Sequence, residues 1–199
     1  MLAEGDIADD ASALLASTSP LPASASNWFT SANALRVYSN YLELDTDQNG
    51  MLRRSELTAF RGGTLTDAFL DRVFQEVHTY GGEVDYKAFL DFLLAAEYRA
   101  SAASMRYIFR LLDLQHTGRL TLFELRYFLR DVAARMAAAG AVDVVDVSNV
   151  CDEIMDMVAP ATPGVITLED LKRCRVGHTV LHILTDVAGY YEYDQRESI

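Results

Sequence analysis

The run Asp45-Thr46-Asp47-Gln48-Asn49-Gly50-Met51-Leu52-Arg53-Arg54-Ser55-Glu56 constrains this chain more than any other feature. Oxygen-bearing side chains stand at its first, third, fifth and twelfth places, with a glycine at the sixth. That spacing aims several donors at one point, as a hard cation with about six to eight oxygen ligands requires. Asp45, Asp47, Asn49 and Glu56 are expected to hold Ca2+ through their side chains, and Met51 through its backbone carbonyl. Gly50 suits the sharp turn, where φ is positive. The pattern is that of an EF-hand loop. The plain alternative is a metal-free surface turn, and three carboxylates and an amide in register speak against it.

Arg53 is the flaw. It occupies the ninth place, where the ligand is often a water held by an oxygen-bearing side chain, and a guanidinium has no acceptor to offer. A cation so close costs about 1 kcal/mol in high dielectric, less if the side chain swings outward. Weakened binding is expected, not abolished binding.

Helix-loop-helix grammar returns three more times along the chain. The best marker is the eighth loop place, which lies in a short antiparallel strand joining paired loops and is apolar and β-prone. Leu52, Val84, Leu120 and Ile166 fill it. The second loop, near residues 77–88, has no acid at either end and is expected to be a structural partner for the first. The third, 113–124, keeps Asp113, Gly118 and Glu124 but has Gln115 and Thr117 where Asp or Asn is usual. Together with the Arg119 carbonyl these form at best a weak second site. The fourth passes through Pro160 and Pro163 with no loop acid before Glu169, and is expected to be a non-binding scaffold.

These units predict an all-α fold of four EF-hand-like repeats in two pairs, with short antiparallel strands between paired loops. Residues 1–27, rich in Ala, Ser and Asp without bulky periodic residues, are expected to form a disordered tail. The first pair spans 28–99, starting near Trp28 and Phe29, and the second spans 100–176. A segment over 177–199, a short strand or helix and then Tyr190, Tyr191 and Tyr193, is expected to pack back on the body.

A net charge of −12 argues against nucleic acid or an anionic membrane as the main partner. The acidic N-terminus is unlike a secretory or mitochondrial signal, and the apolar run 88–96, interrupted by Asp91, is too short to cross a bilayer. Cys151 and Cys174 do not make a disulfide scaffold, which suits a reducing compartment. The chain therefore reads as soluble and cytoplasmic. His78, His116, His178 and His182 show no metal-ligand spacing, and no Gly-rich phosphate loop or nucleophile motif is present. The expectation is a protein that is not an enzyme.

The order of one good loop, one lost, one weak and one lost resembles the B-double-prime regulatory subunits of protein phosphatase 2A, in particular the C-terminal half of the gamma type. The resemblance is carried by 34–38, 44–52 and 69–76, then Asp85-Tyr86-Lys87, Leu90-Asp91-Phe92, Tyr107-Ile108-Phe109 with Leu111-Leu112-Asp113, and 152–158. It implies a non-catalytic subunit that binds the phosphatase scaffold and catalytic subunits, directs them to substrates and senses calcium, with cytoskeletal or centrosomal links. Members of that family carry a long region before this module, where this sequence has a short tail, so much of the usual scaffold-binding surface is expected to be missing here, as in a fragment, a truncated gene product or a reduced paralogue. The alternative is a stand-alone EF-hand calcium sensor or buffer. The six methionines are scattered, and the exiting helices use Phe, Leu and Tyr, which favours a fixed scaffold over a methionine-lined groove.

Overall fold

Helices account for nearly all of the regular secondary structure in a computed structural model that describes residues 31–140 and 145–198. The tail expected over 1–27, with Trp28 and Phe29 after it, lies outside the described residues. The chain divides into two compact units, one ending at Asn49 and the other starting at Gly50. Helix α1 (Ser31–Leu44) belongs to the first. It carries two apolar stripes: Val37, Tyr41 and Leu44 are buried, while Leu35, Tyr38 and Leu42 face outward.

The second unit runs α2 (Arg54–Leu57), a 3-10 turn at Phe60–Gly62, α3 (Asp67–Glu76), α4 (Tyr86–Glu97), α5 (Ala102–Leu112), β1 (Leu120–Thr121), α6 (Leu122–Ala138) and α7 (Val147–Val158). It continues through β2 (Val165–Ile166), α8 (Leu168–Arg173), α9 (Gly177–Thr185) and α10 (Val187–Asp194). Helix starts follow the sequence. Thr66, Asp85 and Ser101 each accept a backbone N–H from three residues ahead, at 3.3, 2.8 and 3.1 Å. Caps of this kind are worth about 1 kcal/mol each. None of the described helices is long and apolar enough to cross a membrane.

The four apolar markers pair as expected. Leu52 and Val84 exchange two backbone hydrogen bonds, at 2.8 and 2.9 Å, in an antiparallel bridge. Leu120 lies opposite Ile166 in the two-stranded sheet of β1 and β2, with Thr121 opposite Val165. All four are buried to 2% exposure or less, which contributes about 2 kcal/mol for each side chain. Loops are thereby tied back to back by a few residues of β-structure.

Three of the helices that leave these loops begin with the same device. The Glu56 carboxylate accepts the Arg53 N–H at 2.9 Å, and Glu124 accepts the Thr121 N–H at 2.8 Å. Asp170 accepts the Thr167 N–H at 3.0 Å and its hydroxyl at 2.6 Å. Counting from Ile166, Asp170 stands at the twelfth place of the fourth loop, so the acid that closes this loop is Asp170 and not its neighbour Glu169. Its second oxygen receives the Ala161 N–H at 3.2 Å and the Arg173 guanidinium at 2.7 Å.

The core of the second unit lies where α6 and α9 meet. Leu125, Phe128, Leu129 and Val132, at helical spacing on α6, are fully buried, as are Val180, Leu181 and Ile183 of α9. Helix α9 packs against α5, α6, α8 and α10. Seven of its nine residues are buried, His182 and Thr185 among them, so its sequence shows no clean division into an apolar and a polar face. Beyond it, Tyr190 and Tyr193 are buried and Tyr191 is exposed. The segment holding Thr64, Leu65 and Thr66 adds strand-like bonds to the same region: Thr66 N–H donates to Thr185 O at 3.0 Å and Val187 N–H to Thr64 O at 2.9 Å.

Arg72 of α3 holds the end of α5. Its guanidinium donates to Leu111 O at 2.9 Å and Asp113 O at 3.4 Å, and pairs with Glu76 at 2.8 Å, all while 7% exposed. Removing one partner of a buried pair leaves the others unsatisfied, so Arg72→Ala is expected to lower stability by about 3 kcal/mol, read as a shift in the urea midpoint.

Asp170 gives a pH signature. The Thr167 hydroxyl bond, with the backbone N–H groups of Thr167 and Ala161 and the Arg173 charge, outweighs burial and lowers its carboxyl from 3.8 to about 2. A depressed carboxylate stabilises the fold above its unfolded value, and that contribution is lost as pH falls from about 4 to 2. Asp170→Asn is expected to cost about 1 kcal/mol at neutral pH. It should also flatten the stability loss of the native chain over that acidic window, measured by urea unfolding at several pH values.

Candidate metal centre

The first loop takes its shape from short-range bonds. Asp45 N–H continues the α1 ladder to Tyr41 O at 3.0 Å, and the chain then turns back on itself through positive φ at Gln48 (57°) and Gly50 (77°). No heavy atom lies within 4 Å of a Cβ built on Gly50, so backbone conformation, not space, selects glycine there. Asn49 N–H donates to Asp45 Oδ1 at 3.1 Å and to Asp47 Oδ1 at 3.2 Å, which draws both carboxylates inward.

Asp45, Asp47 and Glu56 each offer a carboxylate oxygen, and these oxygens lie within 4.8 Å of one another. Two oxygens on opposite sides of one Ca2+, each at about 2.4 Å, stand about 4.8 Å apart, so the three fit a single coordination sphere. Each pair of like charges at that distance costs about 1 kcal/mol even in water, and a divalent cation would convert the repulsion into attraction. Asp45 and Glu56 are buried, at 3% and 8% exposure, and Asp47 is exposed. Among the described residues no other group of three His, Cys, Asp or Glu side chains meets this spacing.

The remaining predicted ligands are less committed. Met51 is half-buried at the seventh place. Asn49 is exposed and directs its Nδ2 to Asp47 Oδ2 at 3.3 Å, so serving a cation through Oδ1 requires its amide to turn over. Arg53, the residue that argued against a metal, is drawn aside: its Nε donates to Glu83 Oε1 of the second loop at 2.6 Å. A carboxylate in the loop that lacks terminal acids thus holds the offending charge.

The weak second site is arranged differently. Asp113 spends both oxygens on the chain, accepting Thr117 N–H at 3.0 Å and Gly118 N–H at 2.6 Å. Glu124 is engaged by Thr121, and the Arg119 carbonyl accepts the Thr117 hydroxyl at 3.5 Å. Gln115, Thr117 and Arg119 are exposed, while Asp113 and Glu124 are buried. Two carboxylates gather here, against three in the first loop.

One titratable cluster had no sequence signal. His182 Nδ1 faces Arg99 Nη1 at 2.6 Å and its Nε2 lies 3.3 Å from Asp186. Burial, with Arg61 nearby, lowers the Arg99 guanidinium below its ordinary value. The ring is packed against Gly189, where a Cβ would stand 2.4 Å from it. Spacings of 83 and 4 residues match no motif; the cluster joins the end of α4 to α9 and α10.

The family model described as the RSA-1 C-terminal domain matches residues 45–198. The B'' subunit gamma of serine/threonine-protein phosphatase 2A from Xenopus tropicalis is 50% identical over 172 residues, 86% of this chain and 38% of that protein. The Homo sapiens gamma subunit is 49% identical over 173 residues, 87% of this chain and 38% of that protein. A solved chain from a PP2A PR70 holoenzyme, described as the diCa form, superposes with a TM-score of 0.78 at 29% identity, covering 83% of this chain and 62% of that one. The chain thus spans about two fifths of the length of these curated relatives. By the family match over most of its length and by relatives at about half identity, it belongs to the B'' regulatory subunits of serine/threonine-protein phosphatase 2A.

Proposed function

We propose that this chain is a non-catalytic, calcium-binding targeting module that engages the scaffold and catalytic subunits of protein phosphatase 2A. Its relatives are regulatory subunits, and its structural neighbour is a chain of a PP2A holoenzyme described as a diCa form, which supports the partner and the ion together. The observation that carries the reading is the convergence of Asp45, Asp47 and Glu56 in a chain of this family. In this reading Asp45, Asp47, Asn49 and Glu56 hold Ca2+ by side-chain oxygens and Met51 by its carbonyl. The ion supplies charge neutralisation and a fixed loop shape, not chemistry on a substrate.

The same proposal takes the fold as four EF-hand-like units, paired over 28–99 and 100–176. The two observed β-contacts, Leu52 with Val84 and Leu120 with Ile166, support the pairing. Cytoplasmic and cytoskeletal placement belongs to the same reading and is checked by imaging a tagged chain.

Two experiments test the proposal. Calorimetry should show calcium binding by the full chain that Glu56→Gln abolishes or weakens at least tenfold, since it replaces a charged bidentate ligand with a neutral one. Capture of the chain by phosphatase scaffold and catalytic subunits, with and without calcium, separates a targeting module from a free sensor; clean calcium binding without capture in either condition overturns the targeting role. A finer check concerns Arg53. Glu83→Gln removes the charge of this ion pair and is expected to weaken calcium affinity by about two- to fivefold, whereas Arg53→Ser combined with it restores the affinity.

A further inference from the structure

Helix α6 presents a second, largely exposed face, on which Arg126 also hydrogen-bonds the Cys151 thiol of α7. Phe123, Arg126, Tyr127, Arg130, Ala134 and Ala137 follow one another at i, i+3, i+4, i+7, i+11 and i+14, opposite the core stripe of Leu125, Phe128, Leu129 and Val132. All six are exposed, Phe123 to 58% and Tyr127 to 42%. At about 1.5 Å per residue the face is about 21 Å long.

Its charge runs against the rest of the chain. The protein carries −12, and Arg53, Arg54, Arg72, Lys87, Arg135, Lys172 and Arg173 each have a carboxylate within 4.0 Å. Among the described residues Arg126 and Arg130 have no such ion pair, nor do Arg119, Arg99, Arg106, Arg110 and Arg175; what sets Arg126 and Arg130 apart is that they flank Tyr127 on one exposed face. The two acids of α6 itself point elsewhere: Glu124 closes the third loop, and Asp131 accepts the Ala68 N–H of α3 at 2.7 Å. With a Debye length of about 8 Å at physiological salt, a ligand on this face meets these arginines before it meets the net charge. Exposed Phe and Tyr alternating with Arg is also the composition of energetically dominant interface residues.

We propose that this face of α6 docks an acidic amphipathic helix of a partner protein, Phe123 and Tyr127 receiving its apolar side chains and Arg126 and Arg130 its carboxylates. Ala134 and Ala137 let the partner backbone approach at the far end. The surface is independent of the calcium loop and goes beyond the phosphatase-binding role.

The test uses the full chain and a labelled synthetic peptide with Leu at i, i+3, i+4 and i+7 and Glu elsewhere, alongside a version with every Glu replaced by Lys. Fluorescence anisotropy should show salt-sensitive binding of the Glu peptide only. Arg126→Glu with Arg130→Glu should weaken it by at least about tenfold, as should Phe123→Ala, with the circular dichroism melt unchanged. Lys87→Glu, on α4, should leave it unchanged. Absence of binding, equal binding of both peptides or indifference to charge reversal overturns the proposal. So does tighter binding of a single-stranded oligonucleotide, or a concentration-dependent dimer that the same substitutions abolish. Neither calcium nor phosphatase subunits enter the measurement, so its failure leaves the metal reading standing.

Discussion

A carboxylate that caps a helix from the last place of a loop is the constraint from which the rest of this structure follows. Glu56, Glu124 and Asp170 are each buried, and each accepts the backbone N–H of the residue three before it at a helix N-terminus. There the free N–H groups and the helix dipole both favour negative charge, so burial of the carboxylate is compensated locally. Each loop is thereby closed before any ligand is considered. What differs is the group that meets the carboxylate from inside the loop. In the first loop two further carboxylates converge on it. In the third, the opposing Asp113 is consumed by Thr117 and Gly118 N–H groups. In the fourth, Ala161 N–H and the Arg173 guanidinium meet Asp170, so the protein itself supplies the positive charge that the first loop would take from a cation.

The second loop, which has lost both terminal acids, still shapes the first. Val84 gives Leu52 its antiparallel partner, and Glu83, one residue earlier, holds Arg53. Because strand neighbours alternate faces, a pairing that fixes Leu52 inward sends Arg53 outward, toward the partner loop's next side chain. Arg72 does the corresponding work for the third loop, donating to Leu111 O and Asp113 O, while Glu76 pairs with Arg72 and lies 3.3 Å from His116. Backbone register and ion pairing act on the same few residues.

What the sequence made legible was local. Spacing within twelve residues located the cluster of Asp45, Asp47 and Glu56, and one apolar place per loop located Leu52, Val84, Leu120 and Ile166. What it hid was either short of contrast or long of range. Asp170 stood beside Glu169, and only its register against Ile166 tells which of the two turns inward. Helix α9 is buried on nearly every side, with His182 and Thr185 inside beside its apolar residues, so it offered no clean period to separate helix from strand. On α1 both stripes are apolar, and sequence does not say that Val37, Tyr41 and Leu44 are the buried set. Arg72 reaches 39 and 41 residues along the chain, and Arg99 reaches 83, to carbonyls and a histidine that no pattern connects.

The third loop leads straight into α6, and that helix has two dissimilar faces for a physical reason. Its core face carries four large apolar residues at helical spacing, which fixes its rotation about its own axis. Once the rotation is set, Glu124 is committed to the loop and Asp131 to α3, so every residue left outside is aromatic, basic or small. The Tyr127 ring meets Phe128 edge-on, with centroids 5.1 Å apart, and leaves its outer part to solvent, while Phe123 is 58% exposed. The exposed aromatic area of Phe123 and Tyr127 is what the proposed partner helix would cover.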